Sequence, residues 1–268
     1  MQGDFFFCSL DRCTQRSSNY CTQQNVLNLP KQITLDFDRE CNLQCIMCRD
    51  KKHINTKEDI EKYDKMYSRI QPVLNQAELI EISGSGEAFF SSYSRELIKK
   101  TAAENKKAKW NIFTNGLLFN TANIKSLGIY GRINKAHISI LAMEKNLYNK
   151  IMIGSDYNTV IKNIKEAAYE SIVNKAIERV ILKTAVSVLN YKEMPKLAEF
   201  AKENNIYISF SQMLWNGRTE FGRNYKSITV WEKDHPEFEN FKTILKHPAL
   251  NYDEVNLNPL FKKIRASE

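Results

Sequence analysis

The sequence lacks any apolar run near the roughly 20 residues that a membrane-spanning helix needs. Its start, MQGDFFFCSL, holds three phenylalanines but has neither a basic beginning nor a long apolar stretch, so it fits neither a signal peptide nor a membrane anchor. No low-complexity tract and no internal repeat is present. We therefore expect a cytoplasmic protein without a membrane partner, in a compartment where free thiols persist.

The sequence also lacks an arginine-rich stripe interleaved with aromatic residues, which is typical of nucleic-acid binding. The net charge is +8, yet the basic residues are mostly lysines that stand among acidic residues, as between Lys99 and Lys109. This pattern favours solvated charged faces over a nucleic-acid partner. Because 43% of the residues are hydrophobic, the chain has enough apolar side chains for a substantial core.

Cysteine is absent after residue 48, and the six cysteines before that point form two groups. A secreted disulfide scaffold is usually short and loop-rich, which this chain of 268 residues is not. Clustering at one end indicates metal binding instead. The two groups are Cys8, Cys13 and Cys21, and Cys41, Cys45 and Cys48.

Beyond residue 30 the hydrophobic pattern alternates between the periods of strands and helices. Six strands are predicted near 33–37, 77–83, 109–114, 136–141, 179–188 and 206–213. Helices are predicted at 57–71, 93–105, 157–173 and 192–204, with another near 237–246. Such βαβ units predict a parallel sheet, which right-handed crossovers curl into an open α/β barrel.

The predicted architecture has three parts. Residues 1–30 form a cysteine-rich appendage, residues 31–215 form a partial (β/α)6 barrel, and residues 216–268 form a loop and helix extension. In parallel βα folds, ligands bind at the carboxyl ends of the strands. The features considered below all lie at or just after such ends.

Cys41, Cys45 and Cys48 follow the first predicted strand with the spacing C-x3-C-x2-C. Thiolates are the ligands of iron–sulfur clusters, and three of them leave one iron of a four-iron cubane open for another ligand. The alternative is a structural zinc site that takes His53 as its fourth ligand. The strand before the loop and the barrel pattern after it favour the cluster.

The segment CNLQCIMC resembles the signature of the radical SAM superfamily, C-x3-C-x-Φ-C at the end of the first barrel strand. The resemblance extends from about residue 31 to 215 and implies the partial barrel of that family. It implies a [4Fe–4S] cluster on the three cysteines and S-adenosylmethionine as cofactor, with Met47 near the adenine at a position that is usually aromatic. It also implies reductive cleavage of the cofactor to a 5′-deoxyadenosyl radical, with an electron from flavodoxin or ferredoxin.

Two further segments resemble family motifs, although each alone is typical of an ordinary turn. The run from Ser83 to Glu87 resembles GGE, whose backbone and carboxylate hold the methionine amine of the cofactor. Thr114-Asn115-Gly116 resembles TNG, which reaches the ribose hydroxyls. The residues implied in cofactor binding are Ser83, Gly84, Ser85, Gly86, Glu87, Thr114 and Asn115.

The chain departs from the family at two positions. Ser139 matches the serine of S-x-D, which contacts the cofactor, but Leu141 stands where the aspartate is expected. Met152 replaces the arginine of Y-x-K-I-R-x-G, a change expected to alter how the cofactor carboxylate is held. Asn190 and residues 215–217 follow the last two predicted strands and are typical of loop or packing positions.

Cys8, Cys13 and Cys21 have the spacing C-x4-C-x7-C, which leaves open three free thiols, a small zinc site or a second cluster. GDFFFCSLDRC resembles the tail of a SPASM-type auxiliary-cluster domain, which in some larger relatives precedes the barrel. The resemblance implies a remnant of that module with an auxiliary iron–sulfur cluster.

The resemblance implies an enzyme whose radical abstracts hydrogen from a substrate, either a peptide or protein, or a sugar-type or other small metabolite. Two alternatives remain. The first is a degenerate radical SAM protein that binds the cofactor without turnover, in line with the departures at Leu141 and Met152. The second is a metal-stabilised nucleic-acid-binding module, which fits the positive charge.

Overall fold

The computed structural model describes residues 30–213 and 219–267. The first cysteine group, Cys8, Cys13 and Cys21, and the segment 215–217 lie outside these residues, so the predictions made for them stay predictions. Within residues 31–268 the chain forms one compact unit.

A parallel sheet is the centre of this unit, and its seven strands follow one another in chain order. The described part of the chain shows no pairing between the edge strands β1 and β7, so the sheet is open. The strands are β1 (Gln32–Leu35), β2 (Leu79–Ile82), β3 (Lys109–Thr114), β4 (Ile133–Ser139), β5 (Ile177–Val186), β6 (Tyr207–Gln212) and β7 (Val255–Leu257).

Helices lie between successive strands along the chain, because parallel neighbours need a crossover connection. Most begin at a side chain that accepts a hydrogen bond from the first turn, such as Thr56, which forms a capping box with Asp59. The helices are α1 (Lys57–Leu74), α2 (Ser92–Glu104), α3 (Thr121–Ser126), α4 (Lys145–Ile151), α5 (Tyr157–Ile172), α6 (Met194–Glu203), α7 (Glu220–Arg223), α8 (Tyr225–Ile228), α9 (Phe238–Leu245) and α10 (Pro259–Ala266).

This architecture confirms the predicted α/β fold with its open parallel barrel. The six predicted strands are all present, and their bounds differ from the prediction by a few residues. A seventh strand lies in the segment after 215, where the sequence pattern indicated loops and one helix. Its three residues are too few to show an alternating pattern, and their strand conformation depends on pairing with β6.

The two faces of the sheet differ in polarity, because successive side chains of a strand point to opposite faces. The face under the helices is apolar and fully buried, as at Ile80, Ile112, Ile138, Leu182 and Phe210. The inner face carries polar side chains and is only partly covered. Its members include Glu81, Asn111, His137, Lys183 and Ser209.

The helices among the described residues all fall short of the length and hydrophobicity that a bilayer span requires.

Candidate functional site

The second cysteine group lies on the loop between β1 and α1, at the carboxyl end of the sheet. Cys41 is buried, and Cys45 and Cys48 are partly exposed. The Cys45 carbonyl accepts hydrogen bonds from the N–H groups of Cys48 (2.9 Å) and Arg49 (3.2 Å), which makes a tight turn at the end of the motif. The loop is therefore an ordered feature of the fold.

Two further main-chain hydrogen bonds hold the middle of this loop. The Gln44 N–H donates to the Ile153 carbonyl at 2.9 Å, and the Ile46 N–H donates to the Ile151 carbonyl at 3.1 Å. Ile151 ends α4 and residues 152–153 follow it, so the cysteine loop is held by the connection between β4 and β5. The Met152 sulfur, which is only 3% exposed, lies 3.5 Å from Cys45 Sγ.

The three thiols influence one another electrostatically. Burial and the neighbouring thiols Cys48 and Cys41 raise the pKa of Cys45 to about 12. Burial also raises the pKa of Cys41. Both sulfurs are therefore protonated at neutral pH in the free protein, and a metal that takes them as thiolates must displace these protons.

These residues fit a cluster better than a single ion. No three His, Cys, Asp or Glu side chains in residues 30–213 and 219–267 converge as a single metal ion needs. A cubane does not require that convergence, because its thiolates bind different irons. His53, the fourth ligand of the zinc alternative, lies instead beside the start of α1. Its Nε2 is 3.8 Å from the carboxylate of Asp59.

Arg49 connects the cysteine loop to its surroundings. Its guanidinium donates to the Arg39 carbonyl at 2.6 Å and to the Ser85 carbonyl at 2.7 Å, and it approaches Cys48 Sγ at 3.6 Å. A planar group with several fixed donors can hold two carbonyls at once, which an ammonium cannot do as well. The arginine thus places a positive charge beside the sulfurs.

The glycine-rich turn after β2 packs directly on the backbone that leads into the cysteine loop. A Cβ on Gly86 would lie 2.5 Å from the Glu40 carbonyl oxygen and 2.6 Å from that of Asp38. The next N–H, from Glu87, donates to the same Glu40 carbonyl at 2.8 Å. Only glycine allows this approach, so the turn has a structural role besides any contact with a cofactor.

Glu87 is 2% exposed, and its carboxylate joins this turn to the end of β3. It accepts hydrogen bonds from Thr114 Oγ1 (2.8 Å), the Asn115 N–H (2.7 Å) and the Phe89 N–H (3.2 Å). Burial raises its pKa to about 6, although these three bonds oppose the shift. At neutral pH the group is mainly an anion held by donors of this chain.

Asn115 completes the junction between the three motifs. Its side-chain Nδ2 donates to Asn42 Oδ1 at 2.8 Å and lies 3.9 Å from Cys41 Sγ. The cysteine loop, the glycine-rich turn and the turn after β3 therefore meet at one place. These are the segments that carry most of the cofactor-binding residues predicted from the sequence.

The remaining predicted residues lie around this junction. Met47 is partly buried and packs against the core. Ser83 donates its N–H to the Leu35 carbonyl at 2.9 Å, and the exposed Gly84 follows it. Ser139 ends β4 on the inner face, in register with Lys183 of β5, at some distance along the sheet from the cysteines.

Asp38, which precedes the cysteine loop, was not predicted from the sequence to have a role in the site. The Asp38 carboxylate accepts hydrogen bonds from the hydroxyls of Ser91 and Ser94, from Asn55 and from the Glu40 N–H. An aspartate just after a strand is too common a signal to identify such a role. The basic side chains of the inner face, which stand at alternate positions of β4 and β5, were not predicted as site residues either.

An open cavity of about 510 Å³ lies beside the cysteine loop and is large enough for a small molecule. The loop residues Gln44, Ile46 and Arg49 form one wall, and Val188, Phe221 and Ile228 contribute to the other.

No family model matches the chain. Among curated proteins, it is 25% identical over 181 residues to a probable GTP 3′,8-cyclase of Methanocaldococcus jannaschii. The match covers 65% of this chain and 55% of that relative, so the chain spans about half the length of the proteins that it resembles.

Solved structures share the fold at low identity. SuiB of Streptococcus suis superposes with a TM-score of 0.55 at 14% identity, over 87% of this chain and 51% of SuiB. SuiB bound to S-adenosylmethionine gives 0.53 at 15% identity, over 85% and 47%. The enzyme anSMEcpe, solved with bound AdoMet and a Cp18Cys peptide, gives 0.53 at 16% identity, over 81% and 57%.

Proposed function

We propose that this chain is a radical SAM enzyme that binds a [4Fe–4S] cluster and cleaves S-adenosylmethionine reductively. The observation that carries the proposal is the junction of three motifs at the carboxyl ends of β1, β2 and β3. There Asn115 bonds to the cysteine loop through Asn42 and to the glycine-rich turn through Glu87.

Cys41, Cys45 and Cys48 would hold the cluster, and Arg49 would place its charge beside their sulfurs. When bound, the cluster supplies the electron that splits the cofactor into methionine and a 5′-deoxyadenosyl radical, which abstracts hydrogen from the substrate. Flavodoxin or ferredoxin would be the reductant. The chain itself fixes the loop, orients the cofactor and shields the site from water.

In this proposal, the glycine-rich turn and Glu87 bind the methionine part of the cofactor. The backbone of Gly84, Ser85 and Gly86 would face the methionine part of the cofactor. A carboxylate has about four acceptor positions, of which Glu87 gives three to donors of this chain. The remaining position would accept the methionine ammonium.

The other predicted contacts involve the nucleoside part of the cofactor. Thr114, Asn115 and Ser139 would bind the ribose and the rest of the nucleoside, and Met47 would pack near the adenine. In place of the arginine of the family motif, Met152 is buried with its sulfur beside Cys45, where a charged side chain would be costly. The cofactor carboxylate therefore requires a partner from elsewhere.

The substrate class and the second cluster are also part of the proposal. The likeness to anSMEcpe, which was solved with a peptide, supports a peptide or protein substrate, and a sugar-type or other small metabolite is the alternative. Cys8, Cys13 and Cys21 would bind an auxiliary iron–sulfur cluster. The protein would work in the cytoplasm.

The test is anaerobic reconstitution followed by reaction with dithionite and S-adenosylmethionine. We expect 5′-deoxyadenosine, detected by mass spectrometry, and about four irons per chain for each cluster. The triple variant Cys41→Ala/Cys45→Ala/Cys48→Ala should form no 5′-deoxyadenosine. The matched control is Cys8→Ala/Cys13→Ala/Cys21→Ala, which should lose about four irons but keep the cleavage.

The outcomes separate the alternatives. Cleavage by the first triple variant would refute the proposal. A wild-type protein that binds the cofactor in equilibrium dialysis but yields no product would be the degenerate form. A colourless zinc protein with salt-dependent affinity for nucleic acid would be the binding module.

A further inference from the structure

Four basic side chains share the inner face of the sheet at β4 and β5, namely Lys135, His137, Arg179 and Lys183. Lys135 and His137 are two residues apart on β4, so both point to the same face. Lys183 stands on β5 beside Ser139, two residues beyond the position that pairs with His137, and it therefore points to this face as well. Arg179 pairs with Lys135 and lies on this face too, so three cationic side chains and one imidazole face the inside of the barrel.

His137 has an unsatisfied polar atom. Its ring stacks on Phe113 with the centroids 4.2 Å apart, and its Nδ1 is buried without a hydrogen-bond partner in the part of the chain that the structure describes. Burial, together with the charges of Lys183 and Lys135, lowers the pKa of His137 to about 4. The imidazole is therefore neutral at physiological pH and is available as a donor or an acceptor.

Lys183 has no counter-charge among residues 30–213 and 219–267. Its Nζ donates to Ser209 Oγ at 3.2 Å, and no described carboxylate lies within 4.0 Å of it. Burial alone lowers its pKa. The carboxylate of Glu81, on the inner face of β2, accepts hydrogen bonds from Thr34 and Asn111 instead. A partly buried ammonium without an anion is costly unless a ligand supplies one.

We propose that Lys183, with Ser209 and His137 beside it, binds an oxyanion of the substrate, either a carboxylate or a phosphate. Ser209 pairs with Lys183 across β5 and β6, so both side chains meet the same group. The inference rests on the proposed function, because it assigns the anion to the substrate of that enzyme.

The position of Lys183 favours the substrate over the cofactor as the source of the anion. The residues that would hold the methionine part of the cofactor lie on the cysteine loop and on the glycine-rich turn after β2. Lys183 is on β5 beside Ser139, which would bind the nucleoside part of the cofactor, and that part carries no anion. An anion bound there belongs to a molecule that extends across the inner face.

The test uses reconstituted protein with inorganic phosphate or acetate as the probe, at an ionic strength held constant with chloride. Wild-type protein should show an unfolding midpoint about 3 °C higher with the preferred anion. Lys183→Gln should abolish this shift, and Lys183→Arg should keep most of it. Lys162→Gln is the matched control, because Lys162 is exposed on α5. A shift with phosphate indicates a phosphorylated substrate, and one with acetate a carboxylate.

Several results would overturn the inference. One is the absence of a shift with either anion, and another is an equal shift in wild type and Lys183→Gln. If Lys183→Gln does not fold, Ser209→Ala should show a smaller shift, and an unchanged shift would count against the site. If Lys183→Gln needs more S-adenosylmethionine for half-maximal 5′-deoxyadenosine without substrate, the lysine serves the cofactor. Failure of wild type to form 5′-deoxyadenosine would refute the proposed function, whereas the anion measurement would still be interpretable.

Discussion

The backbone N–H of Asn115 donates to the carboxylate of Glu87 at 2.7 Å, across 28 residues of sequence. This bond ties the turn after β3 to the turn after β2. Through its side chain, Asn115 also bonds to Asn42 in the cysteine loop. Hydrogen bonds therefore join the three segments of the candidate site directly. We expect a substitution in one segment to change the geometry of the others.

Glu87→Gln should destabilise the fold strongly. The amide would direct a donor at one of the groups that now donate to the carboxylate, namely Thr114 and the N–H groups of Phe89 and Asn115. A buried unsatisfied polar group costs about 1–3 kcal/mol, so we expect the free energy of unfolding in urea to fall by about 2 kcal/mol. Glu96→Gln, which breaks only an exposed ion pair with Lys99, should change it by less than about 0.5 kcal/mol. Similar losses in both variants would contradict this role for Glu87.

Gly86→Ala and Gly84→Ala form a matched pair two residues apart. A methyl group on Gly86 would overlap the backbone of 38–40 at 2.5 Å, whereas the nearest atom to a methyl group on Gly84 is Phe113 Cβ at 3.8 Å. We expect Gly86→Ala to lower the free energy of unfolding by about 3 kcal/mol or to prevent folding. Gly84→Ala should stay within about 1 kcal/mol of wild type. If the two variants have equal free energies of unfolding in urea, the backbone of the turn shifts to accommodate the methyl group on Gly86, and the prediction is wrong.

His137 should make stability depend on pH. Its pKa is 6.5 in an unfolded chain and about 4 in the folded protein, so between these values only the unfolded chain binds the proton. The free energy of unfolding therefore decreases as the pH falls from 6.5 toward 4. After allowance for partial exposure, this contribution is roughly 2 kcal/mol.

The measurement is the difference between wild type and His137→Gln in urea unfolding at pH 7 and pH 4.5. Glu87 titrates in the same range with the opposite sign, since its pKa is raised to about 6, but it is common to both proteins and cancels. The difference should become smaller or change sign at the lower pH. A difference that does not vary with pH would contradict the burial of a neutral imidazole.

Arg49→Gln should weaken iron retention and shift the cluster potential. The variant loses the hydrogen bonds to the Arg39 and Ser85 carbonyls and the positive charge beside the sulfurs. Because positive charge near a cluster favours its reduced form, we expect a midpoint more negative by on the order of tens of millivolts. Iron analysis after desalting and a redox titration followed by electron paramagnetic resonance measure the two effects. Arg69→Gln, on the exposed face of α1, should match wild type in both.

The strands with long alternating patterns were predictable from the sequence. β3 has the predicted bounds, and β5 and β6 differ from the prediction by no more than two residues at each end. β4 begins at Ile133 rather than near residue 136. Its pairing with β3 shifts register at Trp110 and Asn111, and this irregularity interrupts the period of two on which the prediction relied.

Short elements were not predictable, because their conformation depends on tertiary contacts. The helices α3 and α4 have six and seven residues, too few for a clear helical period, although Asn120 and Glu144 cap them. Strand β7 has three residues and depends on its pairing with β6.

The position of the candidate site in the fold was predictable where its residues lie in one local segment. The cysteine spacing identified the loop that the structure places at the end of β1. The bond between Glu87 and Asn115, and the pairing of Lys183 with Ser209, were not predictable because each joins residues that are far apart in the sequence, on or just after neighbouring strands. Only the register of the sheet determines which of these side chains meet.

The main-chain pairing of Gln44 and Ile46 with residues 151–153 distinguishes this loop from a zinc finger, whose fold collapses when its ion is removed. Here the main chain of the loop is hydrogen-bonded to the barrel and not only to its own cysteines. If the proposed cluster is bound there, its removal would leave these bonds in place. Chelation of the iron should therefore leave the far-ultraviolet circular dichroism spectrum unchanged, and iron together with sulfide should restore the cluster.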